Sequence, residues 1–461
     1  MLTRKGRDIV GEASEALRPA RRESRTPERL WPPPEGAWLA LIGLAPIFLG
    51  HWFYGALVSD VALIMDLLAA LTVAGVLAHP RLRADLLRLK GLAWPGLAMA
   101  AVILVGLWTL TPNVVGGPHP VWAFVGVSPG AATLDKSSTI VEIIKLCGLA
   151  CIFVVGAATG ASDQRARTAL AVTVWLGVAF GLWAFFASVT GTVYQSQGQR
   201  LEARFLTPNT AGTFFAILLV LGVALLTQRL RRTSRERVAG ALPLALAVLV
   251  FATCLLMSAS RAGSTAALAA LAVYALSQLI TGRWRVTQAA GAGFAALAGL
   301  AVLLFVAGDF LVQRFFTART DIVDRAFVWR VHWDVFLGSP LFGEGLGSFE
   351  SVTKARLTEG DFPLLWNIRA AHSVYLQWLE QAGLVGAIPM FLAIGLVMFA
   401  TLRGAFRRNR MTSLLFALLA VDLVFLLHGV TDFALETPSM SAFWAWLLGL
   451  QFALAQGSSA R

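Results

Sequence analysis

The sequence is short of charge. Only 14% of its 461 residues are Asp, Glu, Lys or Arg, against roughly 25% in a soluble globular domain. So little charge cannot clothe an ordinary water-facing surface. Cysteine is scarce too. Cys147, Cys151 and Cys254 each fall inside an apolar segment and read as small core residues. Cys147 and Cys151 stand one helical turn apart, but with no further ligand beside them they make neither a disulfide framework nor a thiolate metal site. There are six histidines, five of them scattered as His51, His79, His119, His332 and His428. The polar loops contain neither an H-E-x-x-H nor a D-x-D pattern. No catalytic metal and no cofactor is therefore expected, and positive charge has to come from arginine. The first 36 residues lack an early apolar stretch and are charged and Pro-rich. They read as a disordered cytoplasmic tail with no cleaved leader.

What the sequence has in abundance is apolar runs, with 57% of its residues hydrophobic. A helix of about 20 residues spans the hydrocarbon layer. That length fits twelve stretches, at 37–54, 57–78, 91–110, 138–158, 168–190, 209–227, 239–257, 264–281, 286–307, 373–401, 411–430 and 439–456. The expected fold is an all-α, polytopic integral membrane protein of about twelve transmembrane helices. The membrane domain covers 37–456, with one large polar loop at 308–371 and a short tail at 457–461.

The net charge of +12 is distributed by topology rather than as a nucleic-acid footprint. If the N-terminus is inside, alternate short loops should be basic. They are, at 79–90, 163–167, 228–237, 282–285 and 403–410. Both termini then lie in the cytoplasm, and the connections at 111–137, 191–208, 258–263, 308–372 and 431–438 lie outside. Arginines in the long 308–372 loop fit the rule, because long loops cross largely regardless of charge. No internal repeat or matched pair of broken helices points to an inverted-repeat transporter.

Four polar constellations fall on that same external side. In QGQRLEARFLTPNTAGTF (197–214), Arg200 and Arg204 precede Pro208 and Asn209, which open a helix. Guanidinium groups beside free helix N–H groups make an anion site. In LMSASRAGSTAA, Arg261 sits in a tight turn among small residues, at a depth where an unpaired Arg is costly. The segment 320–350 carries Arg325 and Arg330 on an amphipathic helix that should lie at the membrane surface, followed by PLFGEGLGSF. That glycine-rich turn is not a dinucleotide fingerprint, since no strand precedes it. His372 ends the loop and begins a helix, placed to act as a general base. Asp432, with His428 and Glu436, occupies the last external turn, where it either pairs with the arginines or orients His372. Asp60, Asp66, Glu142, Lys145 and Asp422 lie in or near membrane segments, where ionisable residues are functional candidates. Glu142 and Lys145, three apart, can also simply pair.

At these residues the sequence resembles the O-antigen ligase and O-antigen polymerase superfamily of bacterial membrane glycosyltransferases. His372, Ser373, Leu376 and Gly383 match its His-(Asn/Ser)-x-x-Leu pattern and following Gly. Arg200, Phe205, Pro208 and Asn209 match a second motif, with departures at Ala203 and Thr207. Ser260, Arg261 and Ala262 match a third. Arg325, Trp329, Pro340, Gly343, Gly345, Gly347 and Phe349 match a fourth. Gln381 stands where such proteins often carry Glu, with Glu380 one place before. The resemblance covers roughly residues 190–440.

The resemblance implies transfer of a glycan from undecaprenyl diphosphate to an acceptor hydroxyl at the periplasmic face of the bacterial inner membrane. His372 would be the catalytic base. Arg200, Arg204 and Arg261 would hold the diphosphate, supported by Arg325, Arg330, Asn209 and Asp432. Single displacement without a metal would invert the anomeric configuration. The partners would be the lipid-linked donor, a lipid A–core or growing-glycan acceptor, and the bilayer, with no nucleic acid. Ligation of O-antigen to lipid A–core is the first reading. Polymerisation of lipid-linked repeats for O-antigen, capsule or exopolysaccharide is the second. A polysaccharide transporter is a third reading, but it should carry essential charges through the membrane interior. A non-catalytic scaffold would tolerate loss of His372 and Arg261.

Overall fold

In hydrocarbon every backbone N–H and C=O has to be satisfied within its own segment, so long apolar runs become helices. The computed structural model describes residues 37–192, 200–231, 234–288, 291 and 318–457, which form helices joined by turns and loops, with no strand among them. Most of the expected span at 286–307, the tail at 1–36 and residues 458–461 lie outside the described residues.

The first half of the chain forms α1 (Ala37–Trp52), α2 (Ser59–Ala78), α3 (Pro80–Leu87), α4 (Ala93–Thr109), α5 (Val121–Phe124), α6 (Lys136–Gly160), α7 (Asp163–Val189) and α8 (Pro208–Leu230). The second half forms α9 (Ser234–Met257), α10 (Arg261–Ile280), α11 (Ala318–Gly338), α12 (Phe349–Ala355), α13 (Phe362–Leu365), α14 (Val374–Arg407), α15 (Thr412–Gly429) and α16 (Pro438–Gln456). Among the described residues, eight helices are long and apolar enough to cross a membrane: α2, α6, α7, α8, the Gly240–Met257 part of α9, α10, α14 and α15. The apolar helices α1 and α4 are shorter, and α16 has 19 residues. The chain is a polytopic all-α membrane protein.

Burial separates the centre from the rim. α8 and α15 are enclosed along most of their length, whereas α2 and α9 are mostly uncovered. On α9 the uncovered residues Leu242, Leu246 and Leu249 form one stripe, which is the surface a lipid-facing helix presents. The tightest crossing is α6 on α16. A Cβ at Gly156 or Gly160 would meet the carbonyls of Trp446 and Leu450, and one at Gly449 would meet that of Phe153. Small residues let backbones approach where water does not drive association.

α14 is 34 residues long and is broken at Gly383, whose φ of 57° and ψ of −170° are non-helical. The glycine-rich turn fills that break. Glu344 N donates to Glu380 O and Gly345 N to Gln381 O; Leu384 N donates to Pro340 O and Val385 N to Leu341 O. These bonds satisfy backbone groups that the break would otherwise leave open. Gly343 and Gly383 are both required, since a Cβ on either would strike the other segment's backbone. α11 packs on α14. It buries Val328, His332, Val335 and Phe336 and leaves Val323 exposed. The buried face therefore includes the polar His332 among apolar residues.

Candidate functional site

Six helix beginnings meet at one cavity of about 1440 Å³. Its wall includes Ser59 of α2, Ser138 of α6, Asn209 of α8, Arg261 of α10, His372 just before α14, and Pro438 of α16. Local sequence puts helix starts here. Asp135 Oδ1 accepts from Ser138 N at 3.0 Å to cap α6. Thr207 caps α8, with Pro208 in its first turn. Ser260 Oγ accepts from Gly263 N at 3.1 Å to cap α10, and Ser373 caps α14. Each start points N–H groups and a positive dipole end toward the same space. An anion is stabilised in such a place.

The backbone is strained on this side. Among the described residues, six of the seven non-glycine positions with positive φ lie in its turns: Tyr54, Ala56, Ala203, Arg204, Ala259 and His372. Such conformations cost about 1–3 kcal/mol each and persist where the surroundings impose them, as at functional sites.

His372 lines the cavity at φ 52°. Gln377 Oε1 accepts from the preceding residue, Ala371 N, at 3.0 Å. Phe433 meets the imidazole edge-on at 4.8 Å. Nδ1 is buried and has no partner among the described residues, which marks a group awaiting one. Burial holds the imidazole below its ordinary range; the Asp432 carboxylate opposes this and the Arg325 guanidinium adds to it. The ring is therefore neutral at pH 7, the form that can accept a proton.

Around it runs a polar chain. Arg200 is buried; its Nε donates to Ser258 O at 3.0 Å and its Nη2 to Asn209 Oδ1 at 2.8 Å. Asn209 Nδ2 donates to Asp432 Oδ2. Arg325 Nη1 donates to Thr431 O at 2.7 Å, and its Nη2 stands 3.8 Å from Asp432. Thr213 Oγ1 is bonded to His428 Nδ1.

The structure thus brings His372, Arg200, Arg261, Arg325, Asn209 and Asp432 into one neighbourhood, but in different roles. Arg261 and Arg325 line the cavity. Arg200 also reaches it, yet its guanidinium ties the 258–260 turn to Asn209. Arg204 is not among the lining residues. Its Nη1 donates to Tyr54 Oη at 3.0 Å, and its guanidinium lies over the Tyr54 and Trp183 rings. Arg330 is exposed and also outside the lining. Glu380 is fully buried against His332, Nδ1 to Oε2 2.7 Å, and His332 stacks on Phe349.

Sequence reading gave no role to Gln377, although a glutamine one turn into an apolar helix after His372 was a visible signal. It left Asp66, Glu142 and Lys145 as membrane-segment candidates, the last two as a possible pair, without joining them to the external constellations, whereas all three line the cavity. Cys147, expected in the core, is exposed. A second, apolar cavity of about 260 Å³ abuts the first, walled by residues such as Met99, Phe153, Trp378, Phe391 and Phe425. Glu142, Gln381, Glu436 and Ser441 line both.

Residues 245–391 match the family model described as O-antigen ligase. The resemblance read from sequence is borne out over that stretch, which holds Arg261, Arg325, the glycine-rich turn and His372. Arg200, Asn209 and Asp432 lie outside it. The match carries the coarse expectation of a membrane glycosyltransferase of the ligase or polymerase type. No curated protein matches the chain.

Proposed function

We propose that the protein transfers a glycan from undecaprenyl diphosphate to an acceptor hydroxyl at the periplasmic face of the inner membrane, with both termini in the cytoplasm. The observation that carries this reading is the convergence of six helix N-termini, Arg261 and Arg325 on the cavity that holds His372. The diphosphate lies against the arginines and the helix starts, which supply the positive charge that a metal supplies elsewhere. The polyprenyl chain continues into the adjoining apolar cavity. His372 takes the acceptor's hydroxyl proton as the oxygen attacks the anomeric carbon. The bond from that carbon to the phosphate oxygen breaks, its electrons stay on the diphosphate, and the configuration inverts. Gln377 and Phe433 hold the imidazole in place. Arg200 and Asn209 brace the 258–260 turn that presents Arg261, and Asp432 balances Arg325.

The leading assignment is ligation of finished O-polysaccharide to lipid A–core, with polymerisation of lipid-linked repeats as the alternative. Both use the same site chemistry, so accumulated substrate separates them. Lipopolysaccharide and lipid-linked glycans are compared by gel and mass spectrometry in wild-type and His372→Ala cells. Long polymer stranded on undecaprenyl diphosphate beside bare lipid A–core identifies a ligase. Stranded single repeats identify a polymerase. If neither pool changes, His372 is not the base and a transporter or scaffold reading replaces this one.

A further inference from the structure

One part of the cavity wall carries the opposite charge. Asp66 of α2, Glu142 and Lys145 of α6, and Glu436 in the turn before α16 all line it. Glu142 and Glu436 also line the apolar cavity, so the cluster sits where the two spaces join. Lys145 Nζ is 3.1 Å from Glu142 Oε2. The other two carboxyls are not paired in this way. Asp66 is only 6% exposed, and its Oδ2 has no hydrogen-bond partner among the described residues. Its carboxyl is seated against Gly148, where any Cβ would meet Oδ1. Glu436 likewise shows no side-chain hydrogen bond among the described residues. Burial pushes its carboxyl up to about 8, with Glu142 adding and Lys145 opposing.

Three carboxyls thus share one ammonium, with Asp66 buried and Glu142, Lys145 and Glu436 part-buried. Lys145 balances one of them. Leaving the others ionised there is more costly than letting them keep their protons. The other titratable groups on the cavity wall are Asp135, Asp324 and Glu350, the cations Arg200, Arg261, Arg325, Lys354 and Arg369, and His372; Cys151 of α6 lies close enough for Asp66 to act on it. A dianionic ligand drawn in by those arginines would be repelled by ionised Asp66 and Glu436. In neutral form the same two groups stop repelling it and present O–H donors instead.

We propose that Asp66, Glu142 and Glu436, with Lys145, form a proton-binding site that makes capture of a prenyl diphosphate in this cavity conditional on proton uptake. The diphosphate in this statement rests on the function proposed above; the proton-binding cluster itself does not. By linkage, a ligand that prefers the protonated site binds with a net gain of protons, and its affinity falls as the site deprotonates.

The test uses the full-length protein in detergent, with geranylgeranyl diphosphate as the probe. Calorimetry is run from about pH 6 to about pH 9 in buffers of different ionisation heat. In wild type we expect uptake of about one proton and affinity falling toward tenfold per pH unit above about pH 8. Glu436→Gln and Asp66→Asn keep size and a donor but cannot titrate, so each should reduce the uptake and flatten the slope. Binding without proton uptake, or slopes in both variants equal to wild type, overturns the proposal. Failure of the probe to bind at any pH counts instead against the diphosphate reading. Infrared spectra of the unliganded protein test the cluster separately. A protonated-carboxyl stretch at neutral pH, weakened in either variant, supports it; a wild-type spectrum without that band overturns it.

Discussion

At the scale of single residues, the site separates groups that act on a ligand from groups that hold those groups still. His372 is the proposed base, and His372→Ala should lower transfer by about 10²- to 10⁴-fold while leaving prenyl diphosphate binding near wild type. Its burial also fixes the acid limb of the pH profile. Because the imidazole's affinity for protons is depressed in the folded protein, the base form persists below its ordinary value of about 6.5. Activity should fall only as pH drops through that lower value. The stability sign agrees: the unfolded chain binds the His372 proton more readily, so this contribution is complete above about 6.5 and is lost as pH falls through the folded value. The two arginines that look alike in sequence should part company. Arg261→Ala should weaken donor binding roughly tenfold, the worth of about 1.5 kcal/mol in charge-assisted hydrogen bonds. Arg204→Ala, which removes contacts to Tyr54 and Trp183, should leave donor affinity intact and cost about 0.5–1 kcal/mol of stability. Donor titration and thermal melting of each variant decide this. The types Arg, His and Asn at helix starts were legible in the sequence because polar residues stand out in an apolar chain. Which guanidinium faces the cavity was not legible, because the positive φ at Ala203 and Arg204 turns the loop in a way that spacing does not reveal.

At the scale of elements, the break in α14 is the feature on which the site depends. It lets the 340–345 turn bond directly to the helix carrying Gln377 and capped by Ser373, so a shift of the turn would reach His372. Gly383 occupies backbone space open essentially to glycine alone, where a side chain costs of order 1–3 kcal/mol, and its Cβ would also strike the Leu341 carbonyl. Gly395 lies in the same helix, and a Cβ added there would meet nothing within 4 Å. Gly383→Ala should therefore lower the melting temperature and reduce transfer together, while Gly395→Ala should leave transfer unchanged and stabilise by up to about 1 kcal/mol through helix propensity. Equal effects of the two would mean that the site does not depend on the break. The helices themselves were readable from the apolar runs, and the start of α8 from Pro208 and Asn209, whereas the caps at Asp135, Ser260 and Ser373 emerge only in the structure. The break was not, since QWLEQAGLVG reads as continuous helix; only the long-range bonds from the glycine-rich turn make a non-helical Gly383 possible. The same holds for α11, whose buried face includes His332, paired with Glu380.

At the scale of the whole molecule, alternation ties every end to every other. α2, α6, α8, α10, α14 and α16 all begin at the cavity, so the opposite ends of those helices lie on the other side of the molecule. There the basic loops are anchored rather than loose. Arg408 Nη2 reaches both oxygens of Asp163 at 2.8 Å, and Arg165 Nη2 meets Asp85 at 2.5 Å. Cations concentrated at one face are what the positive-inside rule places in the cytoplasm, and this supports the proposed orientation in which the cavity opens to the periplasm. One pair of labels therefore orients the entire bundle. With Cys147, Cys151 and Cys254 replaced by serine, Gly360→Cys sits in the exposed 356–361 stretch on the cavity side and Asn409→Cys sits at the basic end, both exposed. A membrane-impermeant maleimide applied to spheroplasts should label Gly360→Cys at once and Asn409→Cys only after lysis. The reverse pattern would turn the arginines, His372 and the acidic cluster toward the cytoplasm. The periplasmic transfer reaction would then fail as a whole, because an acceptor presented at the outer leaflet could not reach the one cavity in which base, cations and helix starts come together.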